Sequence, residues 1–333
     1  MILVTGATGF IGSHLVARLA SQGNDVVGVS RYPPRTETDF LLRGTPGVEF
    51  LRVARGDNDS ITQIITRYHP KTIIHLDANV NVPGLNNEPE RAVQENFLST
   101  FSWMNTSFLH GVPRFIFASS IGVLPRIQYE PIDESHPIIV ANEGPASRFY
   151  GASKAASELF GLSFRASSDL QFSAIRCSAV FGFGMQWPIG IKPTLEGIAR
   201  REKVSVPGFG PPRDYTPVEH VVDIFEAAAT MPQTPPGVMF AATGRPLVSV
   251  PKLNQTLLET FPDAEIEVTT ENSDPDGVES LYRGVIDMQP TRAALKLGPL
   301  EEALGQSFIR GVAQHREYLN WRESSTHYPP AGG

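Results

Sequence analysis

The chain opens on Ile2-Leu3-Val4-Thr5-Gly6-Ala7-Thr8-Gly9-Phe10-Ile11-Gly12-Ser13-His14, an apolar run that stops on three glycines spaced three apart. A short apolar run bounded by glycine reads as a buried strand, and Ser13 to Gln22 resumes with helical patterning. A strand that ends on glycines and restarts as a helix leaves backbone N–H groups aimed out of the helix N-terminus, where a pyrophosphate can sit. Gly6 permits the tight turn, Gly9 lets the backbone approach the phosphates, and Gly12 lets helix and strand pack closely. The spacing departs from the standard dinucleotide fingerprint, so an ordinary strand-to-helix turn is the alternative. The position at the head of an alternating strand–helix chain favours the phosphate cradle.

That alternation continues. Val26-Val27-Gly28-Val29 follows the first helix, Thr72-Ile73-Ile74-His75-Leu76 a second, and Arg114-Phe115-Ile116-Phe117-Ala118 a third. A helix over 150–165 and the run Phe172 to Arg176 extend it. Short buried runs separated by helices predict an α/β fold: a Rossmann-type doubly wound parallel sheet of βαβ units. After about residue 180 Gly and Pro become frequent, with helices expected near 193–202, 218–230, 250–260 and 301–322 and a strand at Val238 to Ala241. A length of 333 residues suits one large domain with a smaller partner. The expected division is a dinucleotide-binding domain, 1–176 plus about 215–245, and a smaller, loop-rich C-terminal substrate domain, 177–214 plus about 246–322. Residues 323–333 read as a frayed tail.

Charge and cysteine usage narrow the function classes. The net charge is −7 and no Lys/Arg cluster stands out, which argues against nucleic acid as a partner. Cys177 is the sole cysteine, so no disulfide forms within the chain and a cysteine zinc site is not expected. The eight histidines are scattered without metal-ligand spacing, and His75, ending a buried strand, reads as structural. No basic leader precedes the first strand and no apolar run reaches membrane-spanning length, so a cytoplasmic protein with no membrane partner is expected.

The chemistry-bearing residues follow in chain order. At the end of the second strand, where an NAD site places a carboxylate on the adenosine ribose, stand Ser30 and Arg31. A guanidinium and a hydroxyl hold a 2′-phosphate, which favours NADP over NAD; a solvated arginine is the alternative. Asp57 and Asn58, ending the third strand pattern, can face an adenine. Tyr150 and Lys154 lie four residues apart on one helix face. A cation about 4 Å from the phenol, at an effective dielectric of ~20, is worth roughly 4 kcal/mol, or about three pK units. That shift would bring the phenol toward neutrality as a general acid or base. Ser119 and Ser120 follow the strand at 114–118, at the sheet's carboxyl end where open α/β folds bind ligands. Ser120, Tyr150 and Lys154 beside a dinucleotide describe hydride transfer at a carbinol or carbonyl carbon.

These residues resemble the extended short-chain dehydrogenase/reductase family from Met1 to about Trp321. The opening TGATGFIG resembles its cofactor turn, implying contacts from Gly6, Gly9, Phe10, Ile11 and Gly12. Gly56-Asp57 looks like its adenine contact, and His75-Leu76-Asp77-Ala78 its His-Leu-Ala-Ala stretch, so Asp57, Asn58, Leu76, Asp77 and Ala78 are implied on the cofactor. Asn96 sits where the family carries a structural asparagine in the next helix, and is assigned to the cofactor end of the site. Ser119-Ser120-Ile121-Gly122-Val123 resembles the Ser-Ser-x-x-Val-Tyr segment. That places the catalytic hydroxyl at Ser120 and the cofactor contact at Ser119. Tyr150 and Lys154 fall on the catalytic pair, which also touches the cofactor.

The second half looks more specifically like nucleotide-sugar epimerases and their relatives. Arg176 to Gly184 resembles the strand and loop lining nicotinamide and sugar, implying Cys177 and Val180 on the cofactor and Ser178 and Ala179 on the substrate. Gly208 to Tyr215 resembles a Gly-x-Gly…Arg-Asp-Phe segment whose arginine contacts a substrate diphosphate, so Arg213 is the implied anchor; an ion pair with Asp214 or another carboxylate is the alternative. The departures are Asp77 for a small alanine, Leu124 for tyrosine, Ala179 for asparagine and His220 for aspartate. Where 4,6-dehydratases follow the catalytic hydroxyl with Asp-Glu, this chain has Ile121-Gly122, which argues against elimination of water. The resemblance implies an NADP- or NAD-dependent oxidoreductase or epimerase acting on a small molecule of the sugar-nucleotide class. Alternatives are an NADPH-dependent reductase of a smaller carbonyl compound and a non-catalytic NADP-binding protein. A homodimer through helices near 90–108 and 150–165 is implied as well.

Overall fold

Every residue of the opening run Ile2–Thr5 is buried, as a strand must be when both faces of its sheet are covered. In the computed structural model, which describes residues 1–45, 47–124, 127–138, 148–186, 191–273 and 284–324, the strands in chain order are β1 (Ile2–Thr5), β2 (Val26–Ser30), β3 (Glu49–Arg52), β4 (Thr72–His75), β5 (Arg114–Ser120), β6 (Gln171–Cys177), β7 (Ala179–Phe181), β8 (Val204–Val206), β9 (Tyr215–Pro217), β10 (Val238–Ala241) and β11 (Ile266–Val268). The main sheet has the order β10-β6-β5-β4-β1-β2-β3, with parallel pairing throughout. The chain steps outward from β1 through β2 and β3, then crosses back to β4 on the other side of β1. A ligand crevice forms where successive connections part in this way, outside the carboxyl ends of β1 and β4. The doubly wound sheet expected from the sequence is the observed fold.

Side chains alternate across each strand. Ile2, Val4, Ile74 and Ile116 join a core with Leu15 and Leu19 of the helix Phe10–Ser21 and Val221 and Phe225 of the helix Val218–Thr230. Leu3, Ile73, Phe115 and Phe117 face the opposite layer, with Ile61 and Ile65 of the helix Asn58–Tyr68 and Trp103 of the helix Ser99–Leu109. Phe115 and Phe117 both stack on Phe172 with centroids 6.3 Å apart, and burying each ring contributes about 1.5–3 kcal/mol. His75 is part of this layer. Its ring nitrogens meet Thr5 Oγ1 at 2.8 Å and Thr100 Oγ1 at 3.1 Å, and burial pushes its pKa down to about 3. It is a neutral structural histidine.

A separate core lies beyond the sheet. Phe181, Ile191, Leu195, Leu253, Leu257 and Phe308 pack together, drawing on the helices Ile191–Arg200, Val250–Thr260 and Leu304–Ser324. Two small parallel pairs, β7 with β9 and β8 with β11, belong to this part; β8 and β11 are not foreseen, because three-residue strands carry no period. Also unforeseen is a π-helical stretch, Ala92–Leu98, leading into the helix Ser99–Leu109. Among the described residues no helix is long and apolar enough to cross a membrane.

The opening turn has no room for side chains. Gly6 has φ +66°, a left-handed conformation that side chains disfavour. At Gly12 an added Cβ would stand 2.1 Å from Gly6 O. Both atoms of that clash belong to backbone, so relief requires helix and strand to part. Gly12→Ala should therefore lose at least about 1–3 kcal/mol, read as a lowered midpoint in urea unfolding.

Candidate active site

A cleft of about 450 Å³ runs along the carboxyl edge of the sheet, from the glycine turn to Arg213. Most residues singled out in the sequence line it. At one end are Gly6, Gly9, Phe10, Ile11, Gly12, Ser30, Arg31, Leu76, Asp77 and Ala78; toward the other are Ser119, Ser120, Tyr150, Lys154, Cys177, Ser178, Ala179, Val180 and Arg213. Three do not reach its wall. Asp57 caps the helix Asn58–Tyr68 instead, accepting from Ser60 N at 3.0 Å and from the Ser60 hydroxyl at 2.6 Å, and Asn58 begins that helix. Asn96 is buried, its carboxamide accepting from Asn79 N at 2.7 Å and donating to Asn79 O at 3.0 Å. It shapes the backbone after β4.

The glycine end is built as an anion cradle. Gly9 caps the helix Phe10–Ser21 without a side-chain hydrogen bond, so the first-turn N–H groups stay open to the cleft. An added Cβ on Gly6 would meet Asp77 N at 2.7 Å; the turn is bare backbone packed directly on the end of β4. These features fit a dinucleotide pyrophosphate. The Thr8 and Ser30 hydroxyls share a 2.7 Å hydrogen bond that joins the turn to the end of β2. Arg35, which no sequence motif marks, donates from Nε to Thr8 O and from Nη2 to Gly184 O, both at 3.1 Å.

Arg31 is not a solvated side chain. Its Nη2 lies 3.5 Å from Asp77 Oδ1, and Arg55 Nε lies 3.7 Å from Asp77 Oδ2. Arg55 also pairs with Glu95. The carboxylate that departs from the family's small alanine thus reaches across to two arginines.

In the middle of the cleft the helix Arg148–Ser167 presents Tyr150 and Lys154 against the end of β5. The Tyr150 hydroxyl hydrogen-bonds Ser120, whose Oγ accepts from Gly122 N at 3.0 Å. Ser119 points away, donating to Glu158 Oε1 at 2.5 Å, which leaves Ser120 as the hydroxyl beside the phenol. The Lys154 ammonium donates to Ala118 O at 2.7 Å and lies 5.8 Å from the Tyr150 ring centre. Burial holds the Tyr150 pKa above its ordinary range, with Cys177 adding to the rise and the Ser120 hydrogen bond opposing it. Burial likewise pushes Lys154 down to about 8, against the pull of Cys177, Asp77 and Glu158, and pushes Cys177 up to about 12.

The far end carries Arg213. Its backbone exchanges hydrogen bonds with Val248, N to O at 3.0 Å and back at 2.8 Å, so its side chain is delivered to the cleft from a fixed segment. Asp214 is engaged on the other side. Its carboxylate accepts from the hydroxyls of Thr216 at 2.5 Å, Thr243 at 2.6 Å and Ser178 at 3.0 Å. Ser178, implied as a substrate contact, spends its hydroxyl on this cluster. Around the reacting hydroxyls the wall is apolar, with Ile121, Leu124, Ile127, Ile132 and Ile286; Met185 and Gln186 close one side. Trp187 lies outside the described residues. His220 is buried with Nε2 at 3.1 Å from Ala242 O, away from the cleft wall.

Behind the site sits a group the sequence did not reveal. Glu158, at 0% exposure, and Arg176, at 3%, form a buried ion pair with Arg176 Nη2 at 2.8 Å from Glu158 Oε2. It ties the helix bearing Tyr150 and Lys154 to β6 and, through Ser119, to β5.

Known proteins resemble the chain along most of its length. The family described as NAD dependent epimerase/dehydratase matches residues 2–241. The chain is 32% identical over 233 residues to a UDP-glucose 4-epimerase of Mycolicibacterium smegmatis, covering 68% of this chain and 72% of that protein. It is 30% identical over 200 residues to a dTDP-glucose 4,6-dehydratase of Streptomyces antibioticus, covering 58% of this chain and 56% of that protein. Among solved structures, a UDP-glucose 4-epimerase of Thermotoga maritima with UDP-glucose superposes with a TM-score of 0.79 at 26% identity, covering 96% of this chain and 99% of that one.

Proposed function

The chain belongs to the NAD dependent epimerase/dehydratase family of enzymes, and on that premise we propose that it inverts a carbinol centre of a nucleotide sugar through a keto stage. One observation carries the reading: the Ser120–Tyr150 hydroxyl pair opens into the same cleft as the bare glycine turn and Arg213. A bound nicotinamide dinucleotide supplies the hydride acceptor and donor. Tyr150 handles the proton of the reacting oxygen, and Ser120 orients that oxygen by hydrogen bonding. A phenol held above its ordinary range is protonated at neutral pH, so it enters the cycle most readily as an acid; acting as a base requires positive charge nearby, to which Lys154 contributes. Arg213 anchors a diphosphate by charge-assisted hydrogen bonds. Elimination of water fits poorly, because Ile121 and Gly122, the residues next to Ser120, hold no acid or base.

The apolar wall of Ile121, Leu124, Ile127, Ile132 and Ile286 favours a second reading, net reduction of a smaller, apolar carbonyl compound with an exchangeable cofactor. Leu98, Phe108, Leu159 and Phe160 are exposed on the helical stretches at 92–109 and 148–167, and we take this face to pair two copies of the chain. Native mass spectrometry tests both statements. The expected spectrum shows two chains retaining oxidised dinucleotide through buffer exchange, and the same sample interconverts UDP-glucose and UDP-galactose or a related pair. Cofactor lost on exchange, with NADH or NADPH consumed stoichiometrically by a simple ketone, establishes the second reading instead.

A further inference from the structure

At the end of β2 an arginine accommodates the 2′-phosphate of NADP, whereas a carboxylate receives the ribose hydroxyl of NAD. Read along β2 alone, Ser30-Arg31 asks for the phosphate. In three dimensions the same place holds a carboxylate that comes from another strand. Asp77 follows β4, its backbone N so close to the glycine turn that a Cβ on Gly6 would meet it at 2.7 Å. From there its Oδ1 lies 3.5 Å from Arg31 Nη2 and its Oδ2 3.7 Å from Arg55 Nε. Arg55 has a second carboxylate in Glu95. Glu95 is shared with Arg91, which also reaches Glu88, so three guanidinium groups and three carboxylates form one network. The four inner side chains, Arg31, Arg55, Asp77 and Glu95, are largely withdrawn from solvent, at 16–27% exposure, so dissolved salt screens little of this arrangement.

We infer that Asp77 is the residue that selects the dinucleotide: by engaging Arg31 and Arg55 from the end of β4, it denies them to a 2′-phosphate and gives the chain a preference for NAD(H) over NADP(H). A phosphate brought to Arg31 would stand beside the Asp77 carboxylate, where like charges repel. A ribose hydroxyl can donate to that carboxylate and suffers no such repulsion. On this inference the NADP preference suggested by Ser30-Arg31 is offset: the arginine is present and its Nε has no hydrogen-bond partner, but its charge is paired with Asp77 at 3.5 Å. The inference rests on the proposed reading of the cleft as a dinucleotide site.

Equilibrium binding of NADH and of NADPH, followed by nicotinamide fluorescence at fixed low salt, tests it without reference to turnover. The protein as it stands is expected to bind NADH more tightly. Asp77→Asn and Asp77→Ala, each checked for an unchanged circular dichroism spectrum, are expected to shift the ratio toward NADPH by about tenfold, equivalent to about 1.4 kcal/mol. Adding Arg31→Ala to either variant should abolish that shift, because the freed guanidinium is what receives the phosphate. Equal or tighter NADPH binding by the unmodified protein overturns the inference whether or not the variants fold. So does a folded variant whose ratio stays within twofold. If the unmodified protein binds neither dinucleotide, the reading of the cleft itself fails, an outcome distinct from both.

Discussion

Tyr150→Phe is expected to lower kcat by about 10²–10⁴-fold, the usual contribution of a positioned general acid or base. The substitution removes one oxygen and keeps the ring, so packing against the helix Arg148–Ser167 is preserved. Ser120 keeps its contact with Gly122 N at 3.0 Å, and Lys154 its bond to Ala118 O at 2.7 Å; neither depends on the phenol. Dinucleotide affinity should therefore stay within about twofold, and the loss should fall on kcat rather than on KM, the mark of an interaction made in the transition state. The measurement is steady-state turnover of the nucleotide sugar, paired with fluorescence titration of the cofactor. Turnover within threefold of the original would remove Tyr150 from the chemistry.

The second large effect is on stability. Glu158→Ala should cost about 3–5 kcal/mol, because breaking a buried pair from one side leaves an uncompensated charge. Arg176 is 3% exposed and its Nη1 already has no hydrogen-bond partner, so the guanidinium has little means of reaching water. Ser119 loses its acceptor in the same change. Glu158→Gln keeps the shape and one acceptor but still strands the cation, and should fall between the two. Urea unfolding gives the values. A loss below about 1 kcal/mol for the alanine variant would mean that β6 yields and lets Arg176 escape. Because the pair anchors the helix that carries Tyr150 and Lys154, a partly folded Glu158 variant should lose turnover before it loses secondary structure.

How much of this was legible beforehand depended on sequence separation. The glycine turn and the buried runs after it are local patterns, and they led directly to the parallel sheet and its carboxyl edge. Ser120 was readable because it directly follows a strand, and Tyr150 with Lys154 because four residues make one helical turn. Even so, the helical spacing said only that the two side chains share a face. It could not say that the Lys154 ammonium would also bond the Ala118 carbonyl, since that residue of β5 lies 36 positions away. Asn96 matches the family's structural asparagine by position alone; that its carboxamide bonds the backbone of Asn79, 17 residues earlier, is visible only in the fold. The contacts of Asp77 with Arg31, of Glu158 with Arg176 and of Arg35 with Gly184 join residues with no shared motif. Each is set by which strand ends the fold brings together, information that no single window of sequence contains.

Arg35 has a mechanical consequence. One guanidinium spans Thr8 O on the glycine turn and Gly184 O on the loop after β7, and bonds from a charged donor are worth about 1.5–3 kcal/mol each. The two lips of the cleft are therefore stapled at a separation fixed by the width of a single planar side chain. Whatever enters must fit that gauge, since widening the gap at this point means giving up both bonds at once.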